Sequence, residues 1–277
     1  MMRTIAARAL AFLVLVAASI GQAAALQPTD DPAASPIWKK VRAGLFQDRV
    51  IASAPPGLLT LEAPARAIDA ALVPIAIRTR FPQTAERFVS KVYLVIDANP
   101  SPISAILELT PESGRVEVET RVRVDEYSHV RVIAEMNDGQ LYATTRFVKA
   151  SGGCSAPAGV DAQTALASLG KMHLRVDGDL KGREPVRAEL LINHPNHSGL
   201  AMDPFTRQFI PAHFVRKVDV SYAGKPVFSA DVDFSISENP NFRFYFQPRG
   251  QGELRVSATD SHDLRFNLVQ ALGAAAP

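Results

Sequence analysis

An all-β fold of two immunoglobulin-like β-sandwiches in tandem, preceded by one short N-terminal helix, is what three observations predict. Apolar residues recur at period two in short runs, turn clusters separate the runs, and one Ala/Gly-rich break near the middle divides them into two sets. The boundaries read as a signal peptide over 1–25, a first sandwich over 26–149, a linker over 150–170 and a second sandwich over 171–277.

The elements follow in chain order. Leu26 to Pro36 is rich in Pro, Asp and Ala and reads as a disordered lead-in. Ile37 to Phe46 places Ile37, Val41 and Leu45 at i, i+4 and i+8 with Trp38 beside them, which predicts an amphipathic helix with Trp38 as its packing anchor. Strands are predicted at Leu58–Glu62, Leu72–Arg80 and Val89–Asp97, the last ending at the turn Asn99-Pro100-Ser101-Pro102. Ile103–Leu109 follows and stops at Pro111. In Arg115–Val124 the residues Val116, Val118, Thr120, Val122 and Val124 face one way, and charged residues fill most of the other face. His129–Met136, the turn Asn137-Asp138-Gly139 and Gln140–Val148 form a hairpin.

Beyond the break, Asp161–Leu169 predicts a helical turn or two, because its alanines favour helix. Strands resume at Met172, Leu174 and Val176, then at Val186–Ile192, and a Pro/Gly-containing loop spans His194–Pro211. Phe214–Tyr222 and Pro226–Phe234 make a second hairpin about Ala223-Gly224-Lys225. Phe242–Phe246 alternates aromatic residues, and Asp260-Ser261-His262-Asp263 joins Leu254–Thr259 to Leu264–Val269.

Met1 to Arg8 carries Arg3 and Arg8 and no acid, Ala9 to Ile20 is apolar, and Ala23-Ala24-Ala25 offers a small-residue cleavage pattern. This is the pattern of a secretory signal peptide, and it predicts a periplasmic protein with no stable membrane insertion. Of 30 Lys+Arg and 28 Asp+Glu, export removes only Arg3 and Arg8, so the mature chain balances 28 against 28. A neutral chain argues against a nucleic-acid partner or a polybasic membrane-surface role.

Catalytic motifs are scarce. No phosphate-binding Gly-rich loop, HExxH, CxxC or Gly-x-Ser-x-Gly occurs, which predicts a carrier or accessory protein without its own catalytic site, cofactor or metal. His194 and His197, three apart in a loop, with His213 or Cys154 as a third ligand, leave a copper or zinc site open as a weaker alternative. His129, His173 and His262 lie in or beside strands and read as ordinary residues, and Asp260 and Asp263 as turn residues that accept backbone N–H groups.

Cys154 is the single cysteine, set in Lys149-Ala150-Ser151-Gly152-Gly153-Cys154-Ser155-Ala156-Pro157-Ala158-Gly159. One reading is an interdomain linker with an incidental thiol. In an oxidising compartment a lone cysteine cannot close an intrachain disulfide, so it is buried, paired with another molecule, or chemically used. Gly152 and Gly153 predict a flexible, exposed arm, and six residues from Lys149 to Cys154 span roughly 20 Å when extended. Lys149 is the nearby cation in the sequence that favours a thiolate.

These residues resemble a known pair, the SoxY and SoxZ sulfur-carrier proteins of the periplasmic sulfur-oxidising (thiosulfate oxidation) system. The SoxY-like segments are Leu61-Glu62-Ala63-Pro64-Ala65-Arg66-Ala67, Val73-Pro74, Val92-Tyr93-Leu94, Asn99-Pro100-Ser101-Pro102 and Gly152-Gly153-Cys154. The SoxZ-like segments are His194-Pro195, Gly224-Lys225-Pro226-Val227-Phe228-Ser229-Ala230-Asp231 and Ile236-Ser237-Glu238-Asn239-Pro240-Asn241-Phe242. The resemblance implies two sandwiches packed as a SoxYZ heterodimer on one polypeptide, with Cys154 as covalent attachment point for a sulfur-containing group. It implies partners that are periplasmic redox enzymes: Sox-type cytochromes and hydrolases, or a quinoprotein dehydrogenase, with which a fused SoxYZ-like subgroup is associated. The alternative is a non-covalent accessory or chaperone subunit of such a dehydrogenase. Two departures stand out: Cys154 is followed by a whole domain rather than a free C-terminus, and by Ser155-Ala156-Pro157 rather than Gly-Gly.

Overall fold

The first ordered element begins where its capping residue predicts. Ser35 accepts a hydrogen bond from the Trp38 N–H at 3.1 Å, and Pro36 supplies a preset first helical position, so α1 runs over Pro36–Phe46. The computed structural model describes residues 31–159 and 162–273. The predicted signal peptide, its cleavage pattern and the first part of the lead-in lie outside the described residues. The described part of the lead-in is not loose: Asp31 accepts from the Ala33 and Ala34 N–H groups, and Arg131 donates to the Pro32 carbonyl at 2.6 Å. No helix among the described residues is long and apolar enough to cross a membrane.

The first half contributes β1 (Ile51–Ser53), β2 (Thr60–Glu62), β3 (Val73–Pro82), β4 (Val89–Ile96), β5 (Ile103–Leu109), β6 (Arg115–Val122), β7 (Ser128–Met136) and β8 (Leu141–Val148). β1, which the sequence reading passed over, has three residues and lies parallel to β8 at a sheet edge, too short to carry a periodic signal. β6 shows the predicted alternation, with Val116, Val118, Thr120 and Val122 all buried. β4 and β7 are buried on both faces because α1 covers the outer one. Trp38, Val41, Leu45 and Phe46 pack on Tyr93, Val95, Ile133 and Leu141, while Val92, Leu94, Val130 and Val132 face the main core.

The second half contributes a short helix α2 (Ala162–Ala167), then β9 (Met172–Asp177), β10 (Val186–Ile192), β11 (Val215–Tyr222), β12 (Lys225–Val232), β13 (Asn241–Phe246), β14 (Gly252–Asp260) and β15 (Arg265–Leu272). The two halves share their sheets. One nine-stranded sheet runs β1-β8-β7-β4-β5-β12-β11-β14-β15, and one six-stranded sheet runs β2-β3-β6-β13-β10-β9. Both junctions join a strand of the first half to one of the second. β5 pairs antiparallel with β12 from Leu109↔Phe228 to Ala105↔Val232, and β6 meets β13 at Glu119↔Arg243. Each half thereby covers an edge that the other would leave unpaired. A single apolar core extends through both, from Leu61 and Val118 to Phe244 and Val256.

Candidate functional site

Five loops meet where the halves join. The end of β6 continues through Arg123, Val124 and Asp125, and the turn after β12 lies against it: the Arg123 N–H donates to Ser235 at 2.7 Å and Ser237 N–H to Arg121 at 3.0 Å. Asn99, from the Asn-Pro-Ser-Pro turn, donates to the Arg123 carbonyl (2.8 Å) and the Ser235 hydroxyl (3.0 Å) and accepts from the Asp125 N–H. The residues after β8 fold back over this junction, and the His194–Ser198 loop of the second half closes it from the other side.

The arm predicted from Gly152 and Gly153 is not extended. The Gly152 N–H donates to the Asp125 carbonyl at 2.7 Å and the Gly153 N–H to Val124 at 3.0 Å, so the chain turns back at once. Gly152 supplies a left-handed turn at φ 79°. Gly153 is a close-packing residue: a Cβ there would lie 2.1 Å from the Ala70 carbonyl oxygen and 2.6 Å from that of Val124. Both glycines are therefore required by fixed geometry, and the expected flexibility is not what they provide in this conformation.

Cys154 is fully buried at 0% exposure. Its N–H donates to Asp125 Oδ1 at 3.2 Å, and the Ser198 hydroxyl donates to its carbonyl. Burial pushes the thiol up, the Asp125 carboxylate adds to the rise and the Arg123 charge opposes it, leaving the thiol at about 12. At neutral pH the closed site holds a protonated, unreactive thiol.

The cation beside this thiol is Arg123, not Lys149, which stands exposed at the end of β8. Arg123 is 2% exposed, and among the described residues no carboxylate lies within ion-pair distance of it. Nη1 donates to the carbonyls of Gly153 (3.1 Å) and Ala156 (3.4 Å), Nη2 to that of Asn196 (3.4 Å), and Nε has no partner. Burial lowers the guanidinium's affinity for its proton, against the pull of the Glu238 carboxylate. Asp233 is the second unusual group. Burial lifts it to about 6 against the Ser101 and Ser235 donors, and its Oδ2 is unpartnered. Sequence reasoning missed Arg123 because it extended the β6 alternation to Val124 and so assigned Arg123 to the solvent face. The strand ends at Val122, and the alternation ends with it.

Of the candidate ligands His194, His197, His213 and Cys154, the structure brings His194 and His213 together and leaves His197 and Cys154 out. Among the described residues the groups close enough to share an ion are His194, His213 and Asp260, without His197 or Cys154. Hydrogen bonds account for His213 and Asp260, while His194 Nε2 is buried without a hydrogen-bond partner. Asn196 N–H donates to His194 Nδ1 at 3.1 Å, so a neutral His194 carries its proton on Nε2, which faces Asp260 Oδ2 at 3.5 Å. Metal ligation through Nε2 would need that proton removed as well. His213 Nε2 donates to the same carboxylate oxygen at 2.7 Å and stacks on His262 with ring centres 3.9 Å apart. Asp260 Oδ1 accepts from the N–H groups of His262 and Leu264, the predicted turn role, while Asp263 meets Arg216 instead.

Residues 43–154 match the family model for sulfur oxidation protein SoxY, and residues 175–270 match that for sulphur oxidation protein SoxZ. The first match ends at Cys154. The chain belongs to these two families, as a SoxY domain followed by a SoxZ domain on one polypeptide.

Among solved structures, the sulfur carrier protein SoxY from Chlorobium limicola f thiosulfatophilum is 24% identical, covering 41% of this chain and 91% of its own, with a TM-score of 0.35. The E23A form of superoxide reductase (neelaredoxin) from Ignicoccus hospitalis is 13% identical, covering 34% and 79%, with a TM-score of 0.31. The fibronectin(III)-like modules of Clostridium thermocellum CbhA are 12% identical, covering 77% and 91%, with a TM-score of 0.23. No curated protein sequence matches the chain.

Proposed function

We propose that this chain is an exported carrier protein, without a catalytic site of its own, in which Cys154 holds a sulfur-containing group covalently and presents it to partner redox enzymes in the periplasm. One observation carries the reading: the single cysteine of the chain is the last residue of the SoxY match, in a loop held between the two halves. The signal-peptide pattern and the neutral charge of the mature chain support an exported protein that meets its partners by shape.

The chemistry follows from the thiol's surroundings. Closed Cys154 is fully buried and burial pushes its thiol up to about 12, so it is a protonated thiol at pH 7 and loading proceeds from an opened loop in which water reaches the sulfur. Joining that sulfur to the thiol sulfur of a thiosulfate-like donor forms an S–S bond and releases two electrons and the thiol proton. The loading partner is then a two-electron acceptor such as an exported cytochrome, and a hydrolase that removes the terminal group consumes water. A thioester-type bond is the alternative linkage. The second half covers the cysteine and offers a docking face.

Cys154→Ser tests the reading. The expected result is a folded, partner-binding protein that carries no adduct and supports no turnover by the partner enzymes; full activity of this variant overturns covalent carriage. A second reading, an accessory subunit that binds a periplasmic quinoprotein dehydrogenase non-covalently, is favoured by the tip of the 200–210 loop. There Phe205 is 93% exposed, with Met202 and Phe209 also exposed. Under that reading Phe205→Ser, not Cys154→Ser, abolishes activity in a binding and turnover assay.

A further inference from the structure

We propose that Arg123 is a latch on the carrier cysteine. Its guanidinium ties the carbonyls of Gly153 and Ala156, one before Cys154 and one two residues after it, to the Asn196 carbonyl of the SoxZ half, so the second half governs how often the thiol is uncovered. This rests on the carrier reading for its purpose but not for its geometry.

Three observations support it. First, the bonds from Nη1 and Nη2 span two loops that belong to different halves, 153–156 and 196. Two neighbouring side-chain ties come from the second half as well: the Ser198 hydroxyl donates to the Cys154 carbonyl, and Glu238 Oε2 accepts from the Gly159 N–H. Second, the carbonyl bonds are what the guanidinium contributes here. It is buried, no carboxylate among the described residues lies within ion-pair distance of it and Nε has no partner, so its bonding is spent on holding the loop closed. Third, among the described residues the loop has few other ties and is largely open to solvent. Ser155 and Pro157 are exposed, Ala156 and Ala158 half-buried, and Gly159 is fixed by its N–H to Glu238 Oε2 at 2.7 Å. Between the two tethers, at Gly153 and Gly159, the Arg123 bonds act with the Ser198 hydroxyl on the Cys154 carbonyl and the Cys154 N–H on Asp125 Oδ1 to keep the cysteine covered.

Arg123 is thus a positioning residue that acts through the backbone around Cys154. Its side chain has no role in bond making. It also resolves how a loop fixed at both ends serves a partner: the loop does not need to reach outward if releasing a few hydrogen bonds opens the junction beneath it.

The test is the rate at which iodoacetamide alkylates Cys154 in the full-length mature protein, measured with increasing low concentrations of urea. Arg123→Met and Ser198→Ala are compared with wild type, with urea unfolding midpoints recorded in parallel. The latch predicts a rate about tenfold or more above wild type in Arg123→Met and a smaller rise in Ser198→Ala. Both rises are expected without a matching loss in unfolding midpoint, and both rates are expected to be flat in low urea, because local opening exposes little surface. Arg123→Lys, which keeps the charge but not the planar fork, is expected to fall between. Rates within twofold of wild type in both variants overturn the latch, as do rates that climb with the full urea slope of global unfolding. If Arg123→Met does not fold, Ser198→Ala decides by the same two criteria. Alkylation reports access to the thiol whether or not any group is ever carried there, so failure of the latch is distinct from failure of the carrier reading.

Discussion

At the scale of single residues, the junction between the halves is defined by groups whose charge burial suppresses. Cys154 is held as a thiol, and His194 and Asp233 are pushed toward their neutral forms from opposite directions. Burial, then the His213 charge, lower His194 from 6.5 to about 4. As pH falls through that range the unfolded chain binds a proton that the folded protein refuses, and stability on the order of 3 kcal/mol is lost. Asp233, raised from 3.8 to about 6, has the opposite sign. Its contribution is fully present below 3.8 and lost as pH rises through 6, so acidification favours the folded state there. The two largely offset each other between pH 6.5 and 4. Asp233→Asn is therefore expected to steepen the acid loss, measured as urea midpoints over that interval; parallel curves for variant and wild type would contradict the assignment. Gly153→Ala, whose Cβ meets two backbone oxygens, is expected to cost about 1–3 kcal/mol or to displace the loop and raise Cys154 alkylation.

At the scale of elements, the N-terminal helix shows what the sequence made legible and what it did not. The i, i+4, i+8 stripe placed α1 to within one residue and marked Trp38 as its anchor, because a helix that covers a sheet must show its apolar face. The buried Arg131–Asp97 pair beneath it was not legible. Arg131 donates to both oxygens of Asp97, at 2.7 and 2.6 Å, and its guanidinium lies 4.7 Å from the Trp38 ring centre. Two charged residues 34 positions apart on neighbouring strands carry no local signature of pairing. Asp97→Ala, which strands a buried guanidinium, is expected to destabilise the protein by about 3–5 kcal/mol in urea unfolding; a loss below 1 kcal/mol would show that the pair contributes little. The 150–159 loop failed in the opposite way. Its glycines read as freedom because composition reports what a backbone can do, whereas the contacts of Gly153 with Ala70 and Val124 report what this one does.

At the scale of the whole molecule, the tandem of sandwiches was visible from turn spacing and the break near 150–170, but the shared sheets were not. Nothing in Ile103–Leu109 or Lys225–Val232 names the other as its neighbour, since pairing across halves is settled by which edges remain after each half has folded. The consequence is mechanical unity. With one core and two continuous sheets, the halves are expected to unfold in one transition, so Trp38 fluorescence in the first half and amide exchange in β14 of the second give the same midpoint. Separate midpoints would contradict the continuous sheets. Unity also places the cysteine under joint control, because its covering bonds come from both halves.

The central claim, that Cys154 carries a sulfur-containing group, is tested most directly by the intact mass of the mature protein purified from its native compartment without reductant. Covalent carriage predicts a population heavier than the bare chain by one sulfur-containing group, with the increment confined to the peptide holding Cys154. A uniform mass equal to that of the unmodified thiol, in cells whose partner enzymes are active, would contradict it.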